Sequence, residues 1–331
     1  PSNNTAISAS WKIPDSVVDT FTITCSAGTA SPASISVESS PTNDTFTAYC
    51  IKLPTPGLEY IISVVAISNG KQSAVQTVGV HASPAGVDLT EGTLTTDSVS
   101  ANWAQPQSAV ERYSISCSSG DASPATIEDT TQPSYVASCD NLLVPGDTYT
   151  MTVDSIVNNG ATITSSSIDL VASPAGVELT EGSPTTTSVS VNWAKPDGTV
   201  ESYSISCSSG DASPATIEDT TQPSYVASCD NLLVPGDTYT MTVDSIVNNG
   251  TTTTSSSIDL VALPSAVILL EGPSNNTAIS ASWKIPDSVV DTFTITCSAG
   301  TASPASISVE SSPTNDTFTA YCIKLPTPGL E

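Results

Sequence analysis

The residues of this 331-residue chain best able to form covalent bonds are its eight cysteines. They fall in evenly placed pairs: Cys25 and Cys50, Cys117 and Cys139, Cys207 and Cys229, Cys297 and Cys322. None stands in a CxxC pair and the chain has a single histidine, His81, so the ligand spacing of a tetrahedral zinc site is missing. One pair per repeat reads as one disulfide per domain, which places the chain in an oxidising compartment. Free buried thiols are the other reading of the same residues.

Other chemistry has few candidates. His81 lacks a nucleophile and an orienting partner, so it reads as a satisfied or exposed histidine at a domain junction. The abundant Ser and Thr carry no GxSxG elbow. Acidic neighbours such as Glu128-Asp129 lie in a turn, and paired carboxylates for glycoside chemistry need a cleft that a narrow sandwich lacks. Near-identical repeats also argue against an enzyme, which needs one site and not a copy in every unit. No catalytic residue, no metal ligand and no cofactor is therefore expected. Calcium is the one ion considered: Asp88 and Glu91, and Glu178 and Glu181, recur near domain boundaries, without the dense Asp/Asn spacing of a calcium loop. Plain solubility is the preferred account of these acids.

Asn-x-Ser/Thr occurs at Asn3, Asn43 and Asn249, with copies at Asn275 and Asn315, and these five are the candidate glycosylation sites. Asn43 stands in a polar stretch between strands, and Asn249 in a hairpin turn. Ser/Thr-rich segments such as 251–257 are candidates for O-linked sugars.

Composition narrows the class. Lys and Arg total 7 against 33 Asp and Glu, a net charge of −26. Such a chain is repelled by nucleic acid and by anionic membrane surfaces. Charged residues make up 12%, against about 25% in ordinary domains, and hydroxyl side chains fill the difference. No apolar stretch approaches the roughly 20 residues of a membrane span. No signal peptide stands at Pro1, so the chain reads as a mature or internal segment.

These residues are positioned by a repeat. Residues 1–59 recur unchanged as 273–331, a period of 272. Within it, Trp11, Trp103, Trp193 and Trp283 lie 92, 90 and 90 residues apart, and residues 113–160 are identical to 203–250. The repeat predicts units at 1–81, 82–171, 172–261 and 262–331, the first without an opening strand and the last without its two closing strands. The simplest account is a window from a continuous array. Strand donation between subunits is the rival.

Each unit alternates apolar and polar residues with the period of a half-buried strand. Val99, Ala101 and Trp103 share a face, as do Tyr113, Ile115 and Cys117, and Tyr149, Met151, Val153 and Ser155. Asn69-Gly70, Asn159-Gly160 and Asn249-Gly250 predict type I′ hairpin turns. About seven short strands in 90 residues, with no helical period, define a β-sandwich.

At this level the chain resembles the fibronectin type III family. The features are a proline-bearing opening such as Ser83-Pro84-Ala85-Gly86-Val87, the tryptophan of the second strand, and an aromatic on the third (Tyr113, Tyr203, Phe21, Phe293). A leucine–Pro-Gly–tyrosine corner completes the set, Leu142-Leu143-Val144-Pro145-Gly146-Asp147-Thr148-Tyr149, with a counterpart ending at Tyr60 and another at Tyr239. The resemblance implies tandem, end-to-end β-sandwiches with Trp11, Trp103, Trp193, Trp283 and the corner tyrosines in the cores. A disulfide in every unit is a departure from the family, whose domains mostly lack one. Alternation turns Cys117 and Cys139 both inward, so that the bond would staple sheet to sheet.

The connections between units are nearly without linker and carry proline, which restricts rotation between neighbours. Strands of about ten residues span roughly 33 Å. The expectation is a semi-rigid, acidic, glycosylated rod whose partners are copies of itself in an extracellular filament. The alternative is the stalk of a giant cell-surface adhesin, and an accessory module of a glycan-active enzyme is a third class. No Arg-Gly-Asp occurs, so integrin-type recognition has no support.

Overall fold

The computed structural model describes all residues except 1–2, 13–14, 16, 28–33, 41–44, 142, 232, 299–305, 312–316 and 324–331. Its contacts divide the chain into two units, Pro1–Pro174 and Ala175–Glu331. Among the described residues every strand pairing is antiparallel, and the only helical elements are two three-residue 3-10 turns, Asn158–Gly160 and Asn248–Gly250. The fold is all-β.

The first unit holds two sandwiches. In the first, Ala6–Lys12, Thr45–Ile51 and Ser34–Ser40 form one sheet in that order. The other joins Thr20–Ser26 to Glu59–Ser68, which also pairs with Lys71–Gln72 and Gln76–His81. The second sandwich sets Asp121–Ser123, Ser134–Asp140, Ser98–Ala104 and Thr90–Leu94 against Thr126–Ile127, Arg112–Cys117, Thr148–Val157 and Thr162–Val171. The faces expected from alternation are the buried ones: Val99, Ala101, Trp103, Tyr113, Ile115, Tyr149, Met151, Val153 and Ser155 all lie inside.

The second unit repeats this plan. Thr180–Glu181, Ser188–Ala194, Ser224–Asp230 and Asp211–Ser213 face Thr216–Ile217, Ser202–Cys207, Thr238–Val247 and Thr252–Val261. Beyond it, the described residues of 262–331 build one sheet, Leu270–Glu271, Ala278–Lys284, Thr317–Ile323 and Ser306–Ser311.

All four cysteine pairs are bonded: Cys25–Cys50, Cys117–Cys139, Cys207–Cys229 and Cys297–Cys322. In the second sandwich the bond joins Arg112–Cys117 of one sheet to Ser134–Asp140 of the other, across 5.9 Å between Cα atoms. The staple therefore crosses the core.

Two local expectations change. Asn69 and Gly70, at φ 49° and 73°, do form a two-residue turn between Ser68 and Lys71, since only residues tolerant of positive φ fit both places. The strands Thr148–Val157 and Thr162–Val171, however, close at Val157 and Thr162, which leaves a four-residue loop, 158–161. There the preceding Asn158 also takes positive φ, and Ala161 N–H bonds the Asn158 carbonyl. The opening strand also starts later than its proline-bearing sequence implies. Pairing begins only at Thr90, while Val87 N–H is held by the Ser166 hydroxyl of the last strand. Pro84 has no N–H to give a ladder.

Closing a loop of 22 residues is worth about 3 kcal/mol in the chain-entropy model. Replacing Cys117 and Cys139 together by Ala should lower the stability of that sandwich by this amount, read as a downward shift of its calorimetric transition. An unchanged transition would contradict the staple.

Candidate functional site

The features that a string of such sandwiches can use are its cores and its junctions. In each core the second-strand tryptophan packs edge-on to a third-strand ring and stacks on a ring from the strand beside it. Trp103 meets Tyr113 at 5.7 Å between ring centroids and Tyr135 at 5.7 Å, and the two tyrosines lie 5.0 Å apart. Trp193, Tyr203 and Tyr225 repeat this, and Trp11 with Phe21 and Phe46, and Trp283 with Phe293 and Phe318, build the same triad without hydroxyls.

The hydroxyls change as a set. Tyr113 lies opposite Ser155 in the ladder, where the first sandwich has Phe21 opposite Ala66. The Tyr113, Tyr135 and Ser155 oxygens are buried without a well-formed hydrogen bond, as are those of Tyr203, Tyr225 and Ser245. Burial pushes the phenol of Tyr113 up to about 12, with Tyr135 adding to the rise and the Trp103 indole N–H offsetting part of it. Tyr203 is pushed up to about 12 in the same way. Tyr135 and Tyr225 also rise through burial.

The corner tyrosines tie a loop to a strand. The Tyr60 hydroxyl donates to the Thr55 carbonyl at 3.0 Å and accepts the Thr55 N–H at 3.2 Å. Tyr149 does the same with Val144 and Tyr239 with Val234. Leu142 of the motif lies outside the described residues.

Two of these corners, those of Tyr60 and Tyr239, carry junctions, which sequence reasoning missed. The loop that Tyr60 anchors presents Pro56-Gly57 to the second sandwich. The Pro56 carbonyl accepts the Ala109 N–H at 2.9 Å and the Ser108 hydroxyl at 3.1 Å. Ser108 also accepts the N–H of Ala85, in the connection, at 3.0 Å. From the other side Ala82 N–H reaches Leu58, Ser83 N–H reaches Asn3, and the Ser83 carbonyl takes Gly57 N–H. The connection is thus held by both neighbours. Gly57 stands at φ +81°, and a Cβ there would collide with the Ala109 carbonyl. The second unit contains an independent copy: the Pro235 carbonyl accepts Val289 N–H at 2.8 Å, and Gly236, also at φ +81°, abuts the Val289 carbonyl. The available signal was Pro-Gly ahead of each corner, which sequence reasoning assigned to the tyrosine turn alone.

The remaining candidates fall elsewhere. His81 is half-buried opposite Glu59 at the end of a strand. Asp129 caps its own turn, held below the usual carboxylate range by the Thr131 hydroxyl, the Gln132 amide and the Thr131 N–H, and Asp219 matches it. Asp88, Glu91, Glu178 and Glu181 are exposed, and among the described residues no three His, Cys, Asp or Glu gather as a metal site. Asn3 and Asn275 are exposed, and each Oδ1 takes the N–H and hydroxyl of the Thr two residues on. Asn43 and Asn315 lie outside the described residues, as does the side chain of Asn249. Among the described residues no helix is long and apolar enough to cross a membrane.

A family model, Fibronectin type III domain, matches residues 172–260. The chain resembles tandem fibronectin type III repeat proteins, and the identity of 113–160 with 203–250 extends the likeness to the preceding sandwich. Among solved structures, the FN1–FN3 domains of chicken CNTN1 are 17% identical, with 80% of this chain and 96% of that chain covered and a TM-score of 0.29. A two-domain fibronectin type III segment of chicken tenascin is 19% identical, with 54% and 99% covered and a TM-score of 0.31.

Two predictions follow from this geometry. Ser108→Ala removes both side-chain bonds of the first junction, a loss of about 1 kcal/mol. The Ala85 and Ala109 amides should then exchange with deuterium roughly fivefold faster, whereas unchanged exchange would show that the junction does not depend on Ser108. The buried tyrosines set an alkaline limit. The unfolded phenol releases its proton near the ordinary value of 10.0 and the folded one near 12, so stability is intact below pH 10 and falls as pH rises above it. Tyr113→Phe with Tyr203→Phe should leave the melting temperature near pH 7 unchanged or higher, since a buried unpaired hydroxyl is lost. The same pair should flatten the fall between pH 10 and 12, and a variant that keeps the parent slope would refute the assignment.

Proposed function

We propose that the chain is a structural repeat segment of an extracellular filament, a semi-rigid acidic rod of domains 1–81, 82–171, 172–261 and 262–331. One observation carries this reading. Two junctions, at Pro56–Ala109 and Pro235–Val289, share one backbone hydrogen bond and one glycine contact, each within its own unit. A flexible tether between independent heads has no use for a connection bonded to both neighbours. The same contact repeated along a periodic sequence adds domains without closing on itself, which is the condition for a filament.

The chemistry is consistent with this reading. Four cystines suit an oxidising, extracellular setting. Copies of the chain are its partners, and the charge of −26 disfavours nucleic acid. The repeat has no catalytic role and no cofactor. Glycans on Asn3, Asn43, Asn249, Asn275 and Asn315 would coat the surface, and the junction acids serve solubility rather than calcium.

Electron microscopy of the native material tests the reading. A filament with an axial period of one or three domains is expected, with a mass that falls on deglycosylation. Isolated full-length arrays that never associate would overturn it, and a distinct, non-repeating head at one end would make the array an adhesin stalk.

A further inference from the structure

In the third sandwich the opening segment runs beside the turn that follows the tryptophan strand, and an open groove lies between them. Glu178, Thr180, Ala194, Lys195 and Pro196 are among the residues that line it. Both four-stranded sheets of that sandwich are in place, and Glu178, Thr180 and Lys195 are nonetheless exposed. The second sandwich has Asp88, Thr90 and Gln105 at the same places, also exposed. The groove therefore faces solvent by its position in the fold. It recurs in residues 262–331, about 380 Å³ in volume, where Ile268, Leu270, Lys284, Ile285 and Pro286 line it. Here Glu178, Thr180 and Lys195 are replaced by Ile268, Leu270 and Ile285, and Ala194 by Lys284. The three apolar side chains are 78%, 59% and 44% exposed.

The same fold accepts the polar set twice, so three apolar replacements in one exposed groove do nothing for the sandwich itself. A contiguous apolar patch of this kind marks a contact. Its chemistry selects the partner. The groove holds no aromatic ring on which a sugar could stack, and a chain of net charge −26 is repelled by anionic lipid. We propose that it takes the same groove of a second copy of the chain. Copies this acidic can meet only where acids are missing. In the opening segment the acid Asp88 or Glu178 is the residue that gives way to Ile268, and Lys284 brings in one of only 7 basic residues. Lys284 and Asp287, both exposed, flank Ile285, so a two-fold pairing offers each charge its opposite on the other copy. The groove is also continuous with an established contact. Its Pro286 carbonyl accepts the Ser288 N–H, and the next residue, Val289, bonds Pro235 of the third sandwich. One patch meeting itself closes at two copies. It joins two arrays side by side, where the junctions extend one.

This inference rests on the filament reading in taking copies of the chain as partners, and its test is separate from that of the reading. Sedimentation equilibrium of the full chain in about 0.5 M salt, where like-charge repulsion is screened, should show a dimer of twice 33.7 kDa. The triple variant Ile268→Glu, Leu270→Thr, Ile285→Lys carries the residues that the third sandwich already accepts at these places, so its fold is kept. It should weaken self-association at least about a hundredfold. Adding Glu178→Ile, Thr180→Leu and Lys195→Ile to that variant moves the apolar groove to the third sandwich and should restore the dimer. A parent chain that stays monomeric would show another occupant or none. Either that result or a triple variant that dimerises as the parent does overturns the inference, even where native filaments with the expected axial period are seen. Native material without filaments would overturn the filament reading and leave a groove-dependent dimer standing.

Discussion

Everything in this molecule depends on two thin sheets being locked face to face in units of about 90 residues. A domain of that size buries a limited core, and its net stability is a small difference between large terms. The bond between Cys117 and Cys139 joins the sheets covalently at one edge of the core, and the Trp103, Tyr113 and Tyr135 triad fills the space further along the same strands. Covalent registration matters here because the strands are rich in Ser and Thr, whose small polar side chains specify register weakly by themselves.

The repeats show which parts of that arrangement are free to vary. Tyr113, Tyr135 and Ser155 in one sandwich become Phe21, Phe46 and Ala66 in another, while the tryptophan and the cystine stay. Ring shape and position are kept, and the hydroxyls come or go together. Burying a polar group without a well-formed hydrogen bond is costly, and none of the three hydroxyls has one, so the core loses nothing by their absence. The packing of the rings, and not their hydroxyls, is the constant requirement.

Strand faces and cystine pairs were legible in the sequence for one reason. A period of two places every second side chain inward, so Val99, Ala101 and Trp103, or Tyr113 and Ile115, declare their side without knowledge of the fold. The longer hairpin at Asn158 was not legible, because Asn-Gly suits both a two-residue turn and a wider loop, and the choice rests on whether a preceding asparagine also turns left-handed. Nor was the late start of pairing at Thr90, where a proline-bearing segment runs along one sheet before joining the other. The junctions were hidden for a deeper reason. Their bonds run from the Pro56 and Pro235 carbonyls to the N–H groups of Ala109 and Val289, and backbone groups have no letter in the sequence. Only Gly57 and Gly236 betray them, since a side chain would occupy the place of the neighbour's carbonyl.

Near-identity between neighbours brings a hazard that the cystines are placed to reduce. Adjacent domains of the same sequence can trade strands while folding, because the wrong partner offers the right contacts. A loop of 22 to 25 residues closes early, since short loops cost less entropy to form than the long ones that bring in the last two strands. Once Cys117 meets Cys139, strands from both sheets of one domain are committed to each other. The strands left outside that covalent frame are the final pair, Thr148–Val157 and Thr162–Val171 in the second sandwich, Glu59–Ser68 and Gln76–His81 in the first. Misassembly between neighbouring domains is thereby limited to that pair, the one element the covalent frame leaves free.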